Sequence, residues 1–243
     1  MNHSSLTSQL STYPCLSSKS EMLTKIRELL KKKSGGYYLA LNPEKLFTAT
    51  QNPQIHMILN QSKFLFVDGV GAQWAYRKLL NKDMELVNGV DLMIDTLQAL
   101  HDQGFKIGLF GSKEDVVQAA SENLKRRFPN IILAFAMSGY DDGRNLIEQT
   151  IHTQKPDIVF VALGSPEQEK WIHANHQKFP STLFTGVGGS FDVISGKVRR
   201  APRFIRNMRL EWLYRFASEP LKRWKRMVTL WKFFRLVKRT SKT

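Results

Sequence analysis

The strongest constraint on this chain is an alternation. Six apolar runs of strand length recur, at residues 35–42, 63–69, 105–112, 130–136, 156–164 and 181–189. Patterns of helical period lie between most of them. "SEMLTKIRELLKKK" (20–33) precedes the first, Asn42-Pro43 opens a helix after it, and residues 89–104, 113–128 and the stretch from Pro166 supply others. "FVDG", "LFGS", "VALGS" and "TGVGGS" are continuous apolar runs closed by small or acidic residues. Strands covered on both faces read this way, whereas strands with one wet face alternate. The pattern predicts an α/β fold with a Rossmann-like, mainly parallel sheet and flanking helices. After Pro202 the pattern turns purely helical, which predicts a separate C-terminal appendage.

Charge marks the same boundary. From Gly196 to the C-terminus, 16 Lys or Arg stand against two acids, Glu211 and Glu219, so an excess of 14 out of the chain's +15 sits there. Such asymmetry points to an anionic partner. The expected organisation is a disordered Ser/Thr-rich segment at 1–18, a body at 19–200 and a basic helical, membrane-associating appendage at 201–243. The single cysteine, Cys15, excludes an internal disulfide framework and a cysteine metal cluster. The N-terminus lacks the basic-then-apolar pattern of a signal peptide, and no apolar run approaches the roughly 20 residues of a span. A cytoplasmic protein is expected.

Ligands of open α/β sheets bind beyond the carboxyl ends of the strands, and four motifs fall there. Asp68, before Gly69, reads either as a turn aspartate or as a general base at a crevice. "GSPEQE" (164–169) reads first as a helix start, with Ser165 as N-cap, Pro166 in the first turn and Gln168 closing a capping box. The same helix N-terminus also offers free N–H groups to a phosphate. "GVGGSFD" (186–192) is either a tight turn or a loop whose amides approach a diphosphate. Asn42 reads as an N-cap. Asp141-Asp142-Gly143 reads as a solvated turn, and the scattered histidines lack ligand spacing, so no metal is expected. In the C-terminal stretch Trp224, Met227, Val228, Trp231 and Phe234 recur at helical spacing among Lys and Arg. That composition suits an anionic bilayer surface; the plainer alternative is a helix packed on its own domain.

Together "LNPEK" (41–45), "FVDGVG" (66–71), "NGVDL" (88–92), "LFGS" (109–112), "ALGSPEQE" (162–169), "GVGGSFDVISGKVRRAP" (186–202) and "LEWLYRFASEP" (210–220) resemble the WecG/TagA/CpsF bacterial glycosyltransferases, in the family's order. The resemblance implies an inverting, metal-independent enzyme with no cofactor. Such an enzyme moves a sugar of N-acetylmannosamine type, its uronic acid or a hexose from a UDP-sugar to a polyprenyl-diphosphate-linked acceptor. The product serves surface polysaccharide or teichoic acid synthesis on the inner face of the cell membrane. It implies Asp68 as catalytic base, and Asn42, Gly164, Ser165, Gln168, Gly188, Gly189 and Asp192 as substrate contacts. It implies Arg215, Lys222 and Arg223 as a clamp on diphosphate and membrane, with Trp212 and Tyr214 docking that segment on the body. Three positions depart from the family's pattern: Ala40 where some members have Thr, Leu86 where many have Arg, and Lys222 where Arg is common. The rival reading is a nucleic-acid-binding protein using the basic tail and its tryptophans. It leaves the strand-end motifs without a role, and no nucleic-acid partner is expected.

Overall fold

The computed structural model describes residues 6–202, 204, 205, 208, 211–218 and 220–241; the side chains at 141–144, 212, 215, 217, 218, 220–223 and 225 lie outside that description. Six strands form one sheet, all parallel: β1 (Gly36–Leu41), β2 (Phe64–Val67), β3 (Lys106–Gly111), β4 (Ile132–Met137), β5 (Ile158–Ala162) and β6 (Leu183–Gly186). Their spatial order is β2-β1-β6-β5-β3-β4. The α/β class and the strands expected from the sequence stand as read, with ends trimmed by one to three residues except that β4 runs one residue further, to Met137.

Strand geometry sends successive side chains to opposite faces, and β1 shows the consequence. Tyr37, Leu39 and Leu41 enter one apolar layer. Against it pack α1 (Leu6–Thr12), α3 (Pro43–Gln51), α4 (Pro53–Asn60), α5 (Val70–Leu80), α8 (Asp141–Gln154) and α9 (Glu167–Asn175). Tyr38 and Ala40 enter the other layer, under α2 (Lys19–Lys31), α6 (Gly89–Leu100), α7 (Glu114–Arg127) and the short α10 (Ser190–Ile194). Both faces of the central strands are dry, which is why they read as unbroken apolar runs.

Two expectations change. Residues 6–18 are ordered: Leu6, Leu10 and Tyr13 are buried, Leu65 N–H donates to Pro14 C=O, and Leu16 N–H donates to Leu65 C=O. The N-terminal segment therefore covers the outer edge of β2, where an open strand edge would otherwise invite pairing. A capping box does occur, at the start of α2, where the Ser18 and Glu21 side chains exchange bonds with each other's backbone.

The second change concerns the C-terminus, where α11 (Glu211–Ser218) leads into α12 (Pro220–Thr240). α12 lies against α1, α3 and α5. Phe233 and Val237 are fully buried in the first layer, Leu236 packs beside them, and Phe234 meets Trp74 with ring centroids 5.3 Å apart. The other stripe, Trp224, Val228 and Trp231, stays exposed, and Arg235 lies over the Trp231 ring. The helix thus packs on its own body and still presents an aromatic, basic outer face. Among the described residues no helix is long and apolar enough to cross a membrane.

Candidate active site at the carboxyl edge of the sheet

The strand order places β2, β1, β6 and β5 side by side. Asp68, Asn42, the 186–189 loop and the 164–168 turn each follow one of these strands, so all four open at one edge. Neighbouring strands lie about 4.8 Å apart, which puts the set within the span of a nucleotide-sugar.

Asn42 caps α3 as the sequence predicts: its Oδ1 accepts from Lys45 N–H at 2.9 Å, and Pro43 needs no such partner. Asp68 is half-buried, and its own N–H donates to Leu41 C=O at 3.0 Å, tying it to the end of β1. Its carboxylate faces the start of α6, since a Cβ built on Gly89 would stand 3.8 Å from Asp68 Oδ2. Asn88 caps that helix by accepting from Val90 N–H and donates to Glu211 Oε2 at 3.2 Å.

Sequence reasoning gave no role to the cation beside them. Arg200 Nη1 and Nη2 donate to Asp91 Oδ1 and Oδ2 at 2.6 and 2.7 Å, and Glu211 Oε1 lies 3.8 Å from its Nε. The Asp91 hydrogen bonds outweigh the cost of burial and, with the fields of Asp91, Glu211 and Asp68, hold the guanidinium pKa above its ordinary value. A bidentate Arg–carboxylate pair is directional as well as strong. Here it clamps the 198–202 segment, which leads to the C-terminal helices, onto α6 beside Asp68. "NGVDL" and "KVRRAP" both stood out in the sequence, but a pair 109 residues apart has no local signature.

The 164–169 turn differs from its sequence reading. Ser165-Pro166 is a cis peptide and Gly164 adopts φ 79°. α9 begins with Pro166 in the cap position and no side-chain cap bond, so the expected Ser165–Gln168 capping box is absent. Gln168 is 3% exposed, and both ends of its side chain are engaged inside the protein. Nε2 donates to Glu169 Oε1 at 2.9 Å, and Oε1 accepts from Gly188 N–H at 3.0 Å. Beneath it Lys45 and Glu169 form an ion pair of 2.7 Å with side chains 6% and 1% exposed, and Lys45 Nζ also donates to Ala40 C=O. Burial pushes the Glu169 carboxyl up. Lys45, with hydrogen bonds from Lys45, Gln168 and Ser165, more than offsets this and holds it below its usual range.

In the 186–189 loop, Gly188 has φ 51° and its N–H is already taken by Gln168. Gly189 N–H has no partner among the described residues. Asp192 is half-buried in the first turn of α10, and a Cβ on Gly189 would stand 3.5 Å from its Oδ2. The side chains of Arg215, Lys222 and Arg223, and that of Trp212, lie outside the described residues, although the backbone at all four positions is helical. Among the described residues no three of His, Cys, Asp and Glu are placed so that they could hold a metal ion; Asp141 and Asp142 side chains are outside that set.

The sequence model of the Glycosyl transferase WecG/TagA/CpsF family matches residues 11–243. A Bacillus subtilis protein named N-acetylglucosaminyldiphosphoundecaprenol N-acetyl-beta-D-mannosaminyltransferase is 36% identical over 207 residues, covering 85% of this chain and 80% of that one. A Staphylococcus aureus protein of the same name is 34% identical over 191 residues, covering 79% and 74%. The chain belongs to the WecG/TagA/CpsF family of glycosyltransferases.

Proposed function

We propose that this glycosyltransferase moves N-acetylmannosamine from its UDP-activated form to N-acetylglucosamine on an undecaprenyl diphosphate, a step in making a cell-wall polymer. The observation that carries the choice of sugars is the identity to relatives named for that transfer, over four-fifths of the chain and more. The strand-end motifs gathered at one edge support it.

The chemistry follows from the residues there. Asp68 takes the proton of the acceptor hydroxyl as that oxygen attacks the anomeric carbon. The bond to UDP breaks on the opposite face, and negative charge grows on the departing diphosphate. The Gly189 amide of the 186–189 loop and helix N-termini stabilise that charge where it develops. Arg215, Lys222 and Arg223 are assigned to the diphosphates, with Asn42, Gly164, Ser165 and Asp192 as further contacts. No metal or cofactor enters this scheme. Two departures from the family pattern bear on the sugar. Ala40 is buried, and Leu86 packs against the core, so carbon stands where other members carry a hydroxyl or a guanidinium.

The outer face of α12 supports attachment to the inner membrane surface, where the lipid-linked acceptor resides. Trp224 and Trp231 are more than half exposed, among Lys232, Arg235, Lys238 and Arg239. Aromatic rings at the headgroup level with basic residues around them give area and charge together.

The test is a UDP-release assay with a short-chain prenyl-diphosphate N-acetylglucosamine. UDP-N-acetylmannosamine should give acceptor-dependent release and a product heavier by one N-acetylhexosamine. Faster turnover of another UDP-sugar would overturn the choice of donor. Release without any dependence on the acceptor would overturn the transfer itself.

A further inference from the structure

Gln168 is held at both ends of its side chain within the protein, one amide hydrogen and one carbonyl lone pair being engaged there. The orientation of that carboxamide is dictated by chemistry. Glu169 Oε1 is an acceptor, so it must face the amide nitrogen. Gly188 N–H is a donor, so it must face the amide oxygen. A carboxamide turned the other way would set oxygen against carboxylate and nitrogen against N–H, losing both bonds. The carboxylate that imposes this choice is itself held by Lys45, whose ammonium bonds Glu169 Oε1 and Ala40 C=O. Chain-wise, the relay joins α3 to α9 and α9 to the loop after β6. Gly186 shows how closely it is built: a Cβ there would lie 2.5 Å from Gln168 Nε2, so only glycine lets the amide reach the loop.

We propose that Lys45 and Glu169 are positioning residues for the donor: through Gln168 they fix the 186–189 loop in a ligand-ready shape. With Gly188 N–H occupied, the loop is pinned in the positive-φ turn that presents Gly189 N–H as its unspent donor. This rests on the reading of that loop as a holder of the donor's diphosphate. The donor's diphosphate is already anionic when it binds, so a preorganised amide acts in the ground state as well as in the transition state, and loosening the loop weakens donor binding more than it slows the chemical step.

Three variants separate this from mere support of the fold. Lys45→Met leaves Glu169 buried without its cation, which is the costly half of a broken pair. Lys45→Met with Glu169→Gln removes both charges, and the new carboxamide oxygen can again accept from Gln168 Nε2. Gln168→Glu keeps an acceptor for Gly188 but sets a second carboxylate against Glu169. UDP affinity by calorimetry, KM and kcat for the donor, and hydrogen exchange of the segment 183–192 are measured on each full-length protein.

The single variant and Gln168→Glu should lose roughly tenfold in UDP affinity, as for one weakened buried hydrogen bond. KM should rise by a similar factor, kcat should change less, and exchange in 183–192 should speed up. The double variant should recover most of the affinity and the protection. If Lys45→Met does not fold, the other two carry the test. Unchanged UDP affinity and loop exchange in Gln168→Glu, or a double variant no better than Lys45→Met, would overturn the relay. If the wild-type protein does not bind UDP, the donor reading of the crevice falls, and loop exchange alone then judges the relay.

Discussion

Around Asp68 the charges are arranged so that, among the described residues, Arg200 faces three carboxylates. Asp91 takes both of its Nη atoms, Glu211 lies close to its Nε, and Asp68 contributes to its electrostatic environment. Arg200 carries a second duty in covalent order, because it ties the start of the C-terminal region to α6. Removing it takes a positive charge away from Asp68, the proposed base, and from the two acids beside it. A base works only when deprotonated, and neighbouring negative charge favours its protonated form. Arg200→Ala should therefore move the acid limb of the kcat/KM profile to higher pH, while Arg200→Lys, which keeps the charge and loses the fork, should move it less. The profile is read from UDP release across pH 4 to 8 (roughly the span in which carboxylates and their shifted forms titrate). An acid limb that stays in place in Arg200→Ala would show that Arg200 does not act on the base. Of these residues the place of Asp68 at a strand end was legible in the sequence, because an acid before glycine closing an apolar run is a recognisable pattern. Glu169 was read with the 164–168 motif but not as half of an ion pair, and Arg200 and Lys45 were given no role, because their partners are remote in the chain and a charged residue ordinarily predicts a wet surface.

Among the elements, α1 and α12 show how two local signals compete. The N-terminal segment is rich in Ser and Thr, a composition that predicts disorder. Yet Leu6, Leu10 and Tyr13 keep the spacing of one helical face, and that face is buried. In α12 two apolar stripes are present, and sequence alone does not rank them. The stripe through Trp224, Val228 and Trp231 was legible as amphipathic, but the stripe through Phe233 and Val237 is the one that docks. The core of the body selects the smoother, fully apolar stripe and leaves the tryptophans, whose N–H groups want a partner, outside. Phe233→Ala should cost about 3–5 kcal/mol of stability, as for a buried aromatic truncated in a packed core. Trp224→Ala with Trp231→Ala should stay within roughly 0.5 kcal/mol of wild type, as exposed positions do, and should weaken binding to anionic vesicles. Thermal unfolding and vesicle co-sedimentation on the two proteins decide the matter. Equal destabilisation by both changes, with vesicle binding intact, would mean that the outer face is not the membrane face.

At the scale of the whole molecule, the sheet order turns distant segments into one edge, and the C-terminal helix stands beside that edge. Arg226 lies 3.7 Å from Glu44 at the start of α3. A Cβ on Gly71, at the start of α5, would stand 3.3 Å from the Phe234 ring. Both α3 and α5 begin where β1 and β2 end, at Asn42 and Asp68. The basic helix therefore stands beside the edge at which Asn42 and Asp68 open. The fold class was legible because parallel strands buried on both faces leave unbroken apolar runs. The strand order was not, since pairing of β1 with β6 joins residues about 150 apart and no local pattern carries it. The crevice, the base and the attached helix meet in a single substitution, Asp68→Asn, which keeps size and hydrogen bonding but abolishes proton acceptance. Its turnover of UDP-N-acetylmannosamine with the prenyl-linked acceptor should fall at least ~100-fold, as for loss of general-base help, with melting temperature, UDP affinity and vesicle binding retained. Turnover near that of the wild type in a folded Asp68→Asn protein would contradict the assignment of this edge as the site of glycosyl transfer.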